Sequence, residues 1–140
     1  MIFIAALIIL CLDQASKFVV VINLSLNQSI PVIKNIFHLT LVHNRGAAFG
    51  VFKNQVSWFI LTSIFAIVLI FLNFKKPRHT LYNFSLGLIL AGAAGNLIDR
   101  LFLGYVVDFL DFRIWPVFNI ADSSITIGAV LLGWSILKKK

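Results

Sequence analysis

The sequence predicts an integral membrane protein, mainly α-helical, with four transmembrane helices and a small extracytoplasmic β platform. Of its 140 residues, 60% are hydrophobic and 12% are charged, whereas soluble domains usually contain roughly 25% charged residues. The mean hydropathy is +0.98, and four stretches come close to the roughly 20 apolar residues that a spanning helix needs. We expect a single membrane-embedded domain over residues 1–140.

The predicted spans cover approximately residues 2–22, 56–74, 81–98 and 117–137. The first begins with an apolar run as long as the core of a signal peptide. It lacks both a basic preceding segment and a small-residue cleavage site, and its apolar character resumes after Asp13 and Lys17. We therefore interpret it as a retained span.

The basic residues set the predicted orientation. Six of the twelve Lys and Arg residues lie in two short clusters, at positions 75–78 and 138–140. Cytoplasmic loops concentrate Lys and Arg, so both clusters, and with four spans both termini, are predicted to be cytoplasmic. The net charge is +7, but the basic residues lie at segment ends and are not interleaved with aromatic residues in a stripe. We therefore expect no nucleic-acid partner.

The two segments on the opposite face, approximately 23–55 and 99–116, are predicted to form the outer platform. Residues 29–32 and 37–42 show the alternation and β-branched content of short strands. A turn rich in small residues follows at 46–50, and a third extended piece over 106–114 is expected to join the sheet.

Two of the five aspartates, Asp108 and Asp122, flank the boundary of the last span, and the chain has no glutamate. The third span is about 27 Å long and ends on the face where the fourth begins, so both carboxyls reach one membrane face. Ionisable groups at membrane depth are costly and usually functional. Two nearby carboxyls can share a proton and perform acid–base chemistry, so we predict a functional pair.

Other polar residues should support this pair. Asn119, three residues before Asp122, is predicted to be an N-cap whose side chain bonds the amide of Asp122. Alone, Asp122 is equally typical of a carboxylate that favours a helix N-terminus electrostatically. Asn96 and Arg100 converge on the same interface, and this convergence favours the functional interpretation.

The first span carries its own polar pair. Asp13 and Lys17 are four residues apart and share a helix face, and we expect a structural ion pair linked to Asp99 or Arg100 rather than direct catalysis. Cys11 lies in an apolar run and is expected to be a buried structural thiol.

The three histidines, His38, His43 and His79, show no metal-ligand spacing, so no metal is expected. Two other function classes stay open at this point. A proton- or ion-conducting protein should carry acids through the bilayer depth, whereas four of the five aspartates are predicted at one face. A non-catalytic scaffold subunit would need neither the paired aspartates nor the polar platform.

Five motifs occur in order along the chain: Asp13 with Lys17, then residues 44–50 (NRGAAFG), 95–100 (GNLIDR), 107–109 (VDF) and 118–123 (FNIADS). This arrangement resembles, over essentially the full length, the lipoprotein signal peptidases, the type II signal peptidases of bacteria, which are membrane-embedded aspartic proteases. The family's usual GGALGN stretch reads AGAAGN at 91–96, which keeps small residues at the packing seam.

The resemblance implies an enzyme without cofactor that removes signal peptides from diacylglyceryl-modified prolipoproteins, cutting just before the lipidated cysteine. It implies three groups of site residues: catalytic Asp108 and Asp122; substrate-binding Asn44, Gly46, Asn96, Arg100 and Asn119; and supporting Asp13, Lys17 and Asp99. The implied partners are lipidated precursors and membrane lipid. The chain is expected to be a monomer in the bacterial cytoplasmic membrane, with its site at the extracytoplasmic face.

Overall fold

The computed structural model describes residues 2–46, 56–73 and 79–138. In chain order its elements are α1 (Ile2–Asn23), β1 (Ser29–Ile33), β2 (Phe37–Asn44), α2 (Val56–Asn73), α3 (Thr80–Phe102), β3 (Val106–Asp111) and α4 (Ile120–Leu137). Among the described residues, four helices are long and apolar enough to cross a membrane. The strands form one antiparallel sheet in the order β1-β2-β3. The predicted fold class is confirmed.

Helix α3 is the centre of the bundle. Within its most apolar stretch 56% of the residues are buried, against 6% for α2, because α3 packs against the other three helices. Close approach depends on glycine: a Cβ on Gly92 would collide with the carbonyl oxygen of Ala121 in α4, and one on Gly95 would lie 2.6 Å from Asp13 Oδ2. The small residues of this stretch therefore serve helix packing, as predicted.

Two helix boundaries differ from the predicted spans. Helix α3 continues to Phe102, beyond the predicted end at 98, so Asp99 and Arg100 belong to the helix rather than to the platform. Asp99 is buried and paired with Lys17, so its charge does not force the helix to end. Helix α4 begins at Ile120 rather than 117, because the preceding residue is extended.

The sheet lies on an apolar cluster at the end of α1, composed of Val20, Leu24, Leu41, Val107 and Phe109. The first two strands agree with the predicted stretches. The third ends earlier than expected, at Asp111, where the backbone amide of Arg113 donates to the Asp111 carboxylate and starts a turn. Of the predicted turn at 46–50, residues 47–50 lie outside the described residues, as do residues 51–55 of the predicted platform.

The expectation that Cys11 is buried is wrong, because the residue is exposed on α1. Its neighbours Leu7, Ile8 and Leu12 are also more than half exposed. Lipid tails are as apolar as a protein core, so an apolar sequence context in a spanning helix does not distinguish a buried side chain from one that faces lipid.

Candidate active site

The two aspartates of the predicted pair occupy different elements. Asp108 lies on β3 and is 1% exposed, and Asp122 lies in the first turn of α4. Asn119 precedes α4 in an extended conformation, and its Oδ1 accepts a hydrogen bond of 2.8 Å from the backbone amide of Asp122. The N-cap prediction for Asn119 is confirmed.

Asparagine side chains connect the two carboxyls. Asn119 Nδ2 donates to Asp108 Oδ1 at 2.7 Å and to Asn96 Oδ1 at 3.1 Å. Asn96 Nδ2 in turn donates to Asp122 Oδ1 at 2.7 Å. From the sheet, Asn44 Nδ2 donates to Asp108 Oδ2 at 2.9 Å. Both carboxyls are therefore held by neutral amide donors, which orient them without neutralising either charge.

The electrostatics of Asp108 differ from those of an ordinary carboxyl. Burial, and after it the nearby charge of Asp122, together raise its pKa to about 7, against the opposing effect of hydrogen bonds from Asn44 and Asn119. Desolvation and a like charge both disfavour the ionised form. Near neutral pH a substantial fraction of Asp108 therefore carries a proton.

Gly46 acts on this pair through Asn44. The Gly46 backbone amide donates to Asn44 Oδ1 at 2.9 Å. Because an amide side chain donates only through its nitrogen, this contact fixes which end of Asn44 faces Asp108. The turn after β2 thus sets the orientation of a side chain that holds the buried carboxyl.

A buried cluster of charges lies beneath the aspartate pair. Lys17 Nζ lies 2.8 Å from Asp13 Oδ2 and 2.9 Å from Asp99 Oδ2. It also donates to Asn96 Oδ1 at 3.1 Å, so the cluster contacts the asparagine that holds Asp122. The predicted ion pair linked to Asp99 is therefore present.

The cluster also fixes the two elements that carry the aspartates. Asp13 Oδ1 accepts a 2.8 Å hydrogen bond from the backbone amide of Ala121, next to Asp122. Asp99 Oδ2 accepts one of 3.1 Å from the amide of Val107, next to Asp108. Asp13 of α1 thus positions the backbone beside Asp122, and Asp99 of α3 positions the backbone beside Asp108.

Sequence reasoning missed Gln14. Its Nε2 lies 3.1 Å from both Asp13 Oδ2 and Asp99 Oδ1 and so bridges the two acids that flank Lys17. A polar residue inside an apolar span, next to a charged one, is the signal that would have identified it.

Arg100 lies near the end of α3. Its guanidinium carbon lies 5.1 Å from the centre of the Phe59 ring of α2, and its Nη1 is 3.5 Å from the carbonyl oxygen of Asn96. Arg100, Asn96 and Asp122 line one cavity between the helices. The contribution of Phe59 was not predicted, because an aromatic residue in a spanning helix gives no sign of a cation above its ring.

A second carboxyl on the sheet, Asp111, has a different environment from Asp108. Burial acts to raise its pKa, but hydrogen bonds from Thr40 and Arg113 and the charge of Arg113 outweigh it, so the pKa lies below the usual value. Asp111 is thus an ionised carboxylate with its partners already in place. Within the described ranges, no three His, Cys or Asp side chains are grouped to hold a metal ion.

Four membrane-crossing helices and an asparagine-linked aspartate pair beside a small sheet define a multi-pass membrane protein with a paired-carboxylate site. The family model for signal peptidase (SPase) II matches residues 5–138. The chain therefore belongs to the signal peptidase II family.

Individual relatives and solved structures agree with this membership. The lipoprotein signal peptidase of Halothermothrix orenii is 50% identical over 133 residues, which cover 94% of this chain and 92% of that protein. The one from Caldanaerobacter subterraneus subsp. tengcongensis is 52% identical over 130 residues, covering 91% and 90%. A bacterial membrane enzyme solved by the in meso method at 2.3 Å resolution has a TM-score of 0.92 at 33% identity, covering 98% of this chain and 87% of that one.

The resemblance inferred from the sequence motifs is confirmed, and the chain is an aspartic-type membrane peptidase by family. Membership in a peptidase family argues against the ion-conducting and scaffold alternatives.

Proposed function

We propose that this peptidase removes the signal peptide from prolipoproteins whose cysteine carries a diacylglyceryl group, cutting the peptide bond just before that cysteine. The observation that carries the proposal is the pair of buried Asp108 and partly buried Asp122, joined through Asn119 and Asn96. The family and its relatives support the reaction class.

The chemistry follows from the charges of the pair. Two nearby carboxyls retain one proton between them, and the raised pKa of Asp108 favours this residue as its holder. Ionised Asp122 takes a proton from the water that attacks the carbonyl carbon, while Asp108 donates its proton to the carbonyl oxygen. When the tetrahedral intermediate breaks its C–N bond, the cysteine nitrogen accepts the proton now held by Asp122 and leaves as an amine, while the hydroxyl formed from the carbonyl oxygen returns its proton to Asp108.

The remaining site residues are assigned positioning and substrate-binding roles. Asn44, Asn96 and Asn119 hold the carboxyls, and Gly46 orients Asn44. Arg100 supplies donors to the substrate backbone from the end of α3.

The cluster of Asp13, Lys17 and Asp99 supports the pair from below. Through the amides of Ala121 and Val107, its two acids keep the start of α4 and the start of β3 at a fixed separation. Positioning of reacting groups to a fraction of an ångström is a large part of catalysis, so this cluster contributes to the reaction without contacting the substrate.

We further assign the site to the extracytoplasmic face of the bacterial cytoplasmic membrane, with both termini cytoplasmic and the chain acting as a monomeric single domain. The basic residues at 75–78 and 138–140 support this orientation. A scissile bond tethered to a lipid anchor cannot leave the interface, so a site at the membrane surface suits such a substrate. The sheet would rest on membrane lipid beside the bound peptide.

The test is a cleavage assay with the purified protein in detergent. Two synthetic precursor peptides of the same sequence are compared, one with an S-diacylglyceryl cysteine and one with unmodified cysteine. We expect a single cut before the lipidated cysteine, located by mass spectrometry, and much slower cleavage of the unmodified peptide. Equal cleavage of both peptides, or cutting at another bond, would contradict the proposal.

A further inference from the structure

Two cavities meet at Asp122. The first, the α4 groove, has a volume of about 560 Å³, and its lining includes Ile114, Trp115, Phe118, Asp122, Thr126 and Ile127. The second, the interhelical groove, has a volume of about 260 Å³, and its lining includes Phe59, Asn96, Arg100, Asp122 and Ile125. At 100° per helical residue, Ile127 and Ile125 fall on different sides of Asp122. A substrate bound at Asp122 therefore has two distinct surfaces available to it.

The α4 groove offers little hydrogen bonding to a ligand. Its two hydroxyls are bonded to carbonyls of their own helix segment: Ser123 Oγ donates to Asn119 O at 3.0 Å and Thr126 Oγ1 to Asp122 O at 2.9 Å. Apart from Asp122, the rest of its described lining is aromatic or aliphatic. Such a surface matches hydrocarbon, whereas a peptide backbone placed there would lose hydrogen bonds to water without replacement.

The interhelical groove has the opposite character. Arg100 brings a guanidinium with five N–H donors, and its contact with Asn96 O is a long one of 3.5 Å. Asn96 lies in the same wall, but its side chain is already bonded to Asp122 and Lys17, so Arg100 is the donor that faces a ligand. Such a donor suits the carbonyl groups of a peptide, which must be satisfied wherever water is excluded.

The α4 groove is bordered by exposed apolar side chains. Ile114 is 94% exposed and Ile127 is 53% exposed. Val130, one turn further along α4, is exposed as well and continues the apolar surface. Because α4 is apolar and long enough to cross a membrane, this exposed surface lets an acyl chain reach the groove from the surrounding lipid.

We propose that the α4 groove binds an acyl chain of the diacylglyceryl group on the substrate cysteine, while the signal peptide side of the substrate occupies the interhelical groove. This inference rests on the proposed function, because Asp122 lies in the wall of the groove and its occupant must be attached to the scissile bond. Specificity for lipidated precursors then arises from burial of hydrocarbon beside α4, and it grows with the number of CH₂ groups buried.

The experiment compares acyl-chain lengths. Precursor peptides identical except for long (hexadecanoyl) or short (hexanoyl) acyl chains are assayed with wild type, Ile127→Trp and the matched control Ile136→Trp. Ile136 lies near the far end of the same helix with a similar exposure, 57% against 53%. We expect Ile127→Trp to lower the long-to-short ratio of kcat/KM roughly tenfold or more, through KM, and Ile136→Trp to leave the ratio as in wild type.

A second variant covers the case in which Ile127→Trp does not fold. Trp115→Ala changes a loop residue in the groove wall and removes contact area for a long chain, so the same ratio should fall. An unchanged ratio in the folded variants, or an equal loss for both chain lengths, would overturn the assignment of the groove. Failure of the wild type to cleave any lipidated peptide would instead overturn the proposed function, so the two failures are distinguishable.

Discussion

The side-chain nitrogen of Asn119, Nδ2, donates a hydrogen bond of 2.7 Å to Asp108 Oδ1, which joins the start of α4 to the sheet. The oxygen of the same side chain accepts a hydrogen bond of 2.8 Å from the backbone amide of Asp122. Asn119 is fully buried, so water does not compete for either contact. One side chain therefore caps a helix and holds the paired carboxyl at the same time.

These two functions of Asn119 are separable by substitution. Asn119→Ser keeps an oxygen that caps the helix but loses the amide donor to Asp108, whereas Asn119→Ala loses both. We expect the alanine variant to be less stable than the serine variant by about 1 kcal/mol, measured by thermal unfolding in detergent. Both should lose about 100-fold in kcat/KM, because Asp108 is no longer held in place. Activity near wild type in Asn119→Ser would show that the amide contact is dispensable.

The buried cation Lys17 should contribute strongly to stability. Lys17→Met leaves Asp13 and Asp99 without their common counter-charge, and breaking a buried pair typically costs about 3–5 kcal/mol. The matched control is Arg113→Met, which removes a half-exposed partner of Asp111 and should cost less than about 1 kcal/mol. Denaturation in detergent measures both, and similar losses would contradict a special role for the buried cluster.

The close contact of α3 with α4 at Gly92 predicts that alanine substitution has different effects at Gly92 and at Gly133. A Cβ on Gly92 would collide with the Ala121 carbonyl and lie 2.6 Å from Ser124 Oγ, whereas one on Gly133 has nothing within 4 Å. Gly92→Ala should push α4 away from α3 and lower both melting temperature and activity. Gly133→Ala, on the same pair of helices, should be neutral or slightly stabilising. Equal behaviour of the two variants would refute this packing arrangement.

The parts of the site that sequence predicts are those set by local spacing. The cap of Asn119 on Asp122 depends on a three-residue offset, and the pairing of Asp13 with Lys17 on a four-residue one. The order of the spans then brings Asp108 to the same face as Asp122. These relationships follow from helix geometry alone.

The rest depends on tertiary contacts that no spacing reveals. Asp13 bonds the amide of Ala121, 108 residues away. By strict strand alternation Asn44 and Thr40 would share one face of β2, yet they bond Asp108 and Asp111, which are three residues apart. A register shift between Leu39 and Val42 makes this possible, and nothing in the sequence marks it.

Stability should depend on pH through Asp108. Its pKa is about 7 in the folded protein against 3.8 ordinarily, so the folded state binds this proton more tightly than the unfolded chain. The stabilisation that this proton gives to the folded state is fully present below about pH 4 and is lost as the pH rises through about 7. When melting temperature is plotted against pH between 4 and 8, we expect it to fall more steeply for the wild type than for Asp108→Asn. Parallel curves would contradict the raised pKa.

The central claim is that Asp108 and Asp122 together activate water for cleavage of a lipidated precursor. The most direct measurement is single-turnover cleavage of an S-diacylglyceryl peptide by Asp108→Asn, Asp122→Asn and the control Asp111→Asn. We predict that each of the first two loses about 1,000-fold or more in rate while retaining a cooperative thermal transition, and that Asp111→Asn stays within a few-fold of wild type. Near-normal cleavage by a folded Asp108→Asn or Asp122→Asn protein would contradict the account.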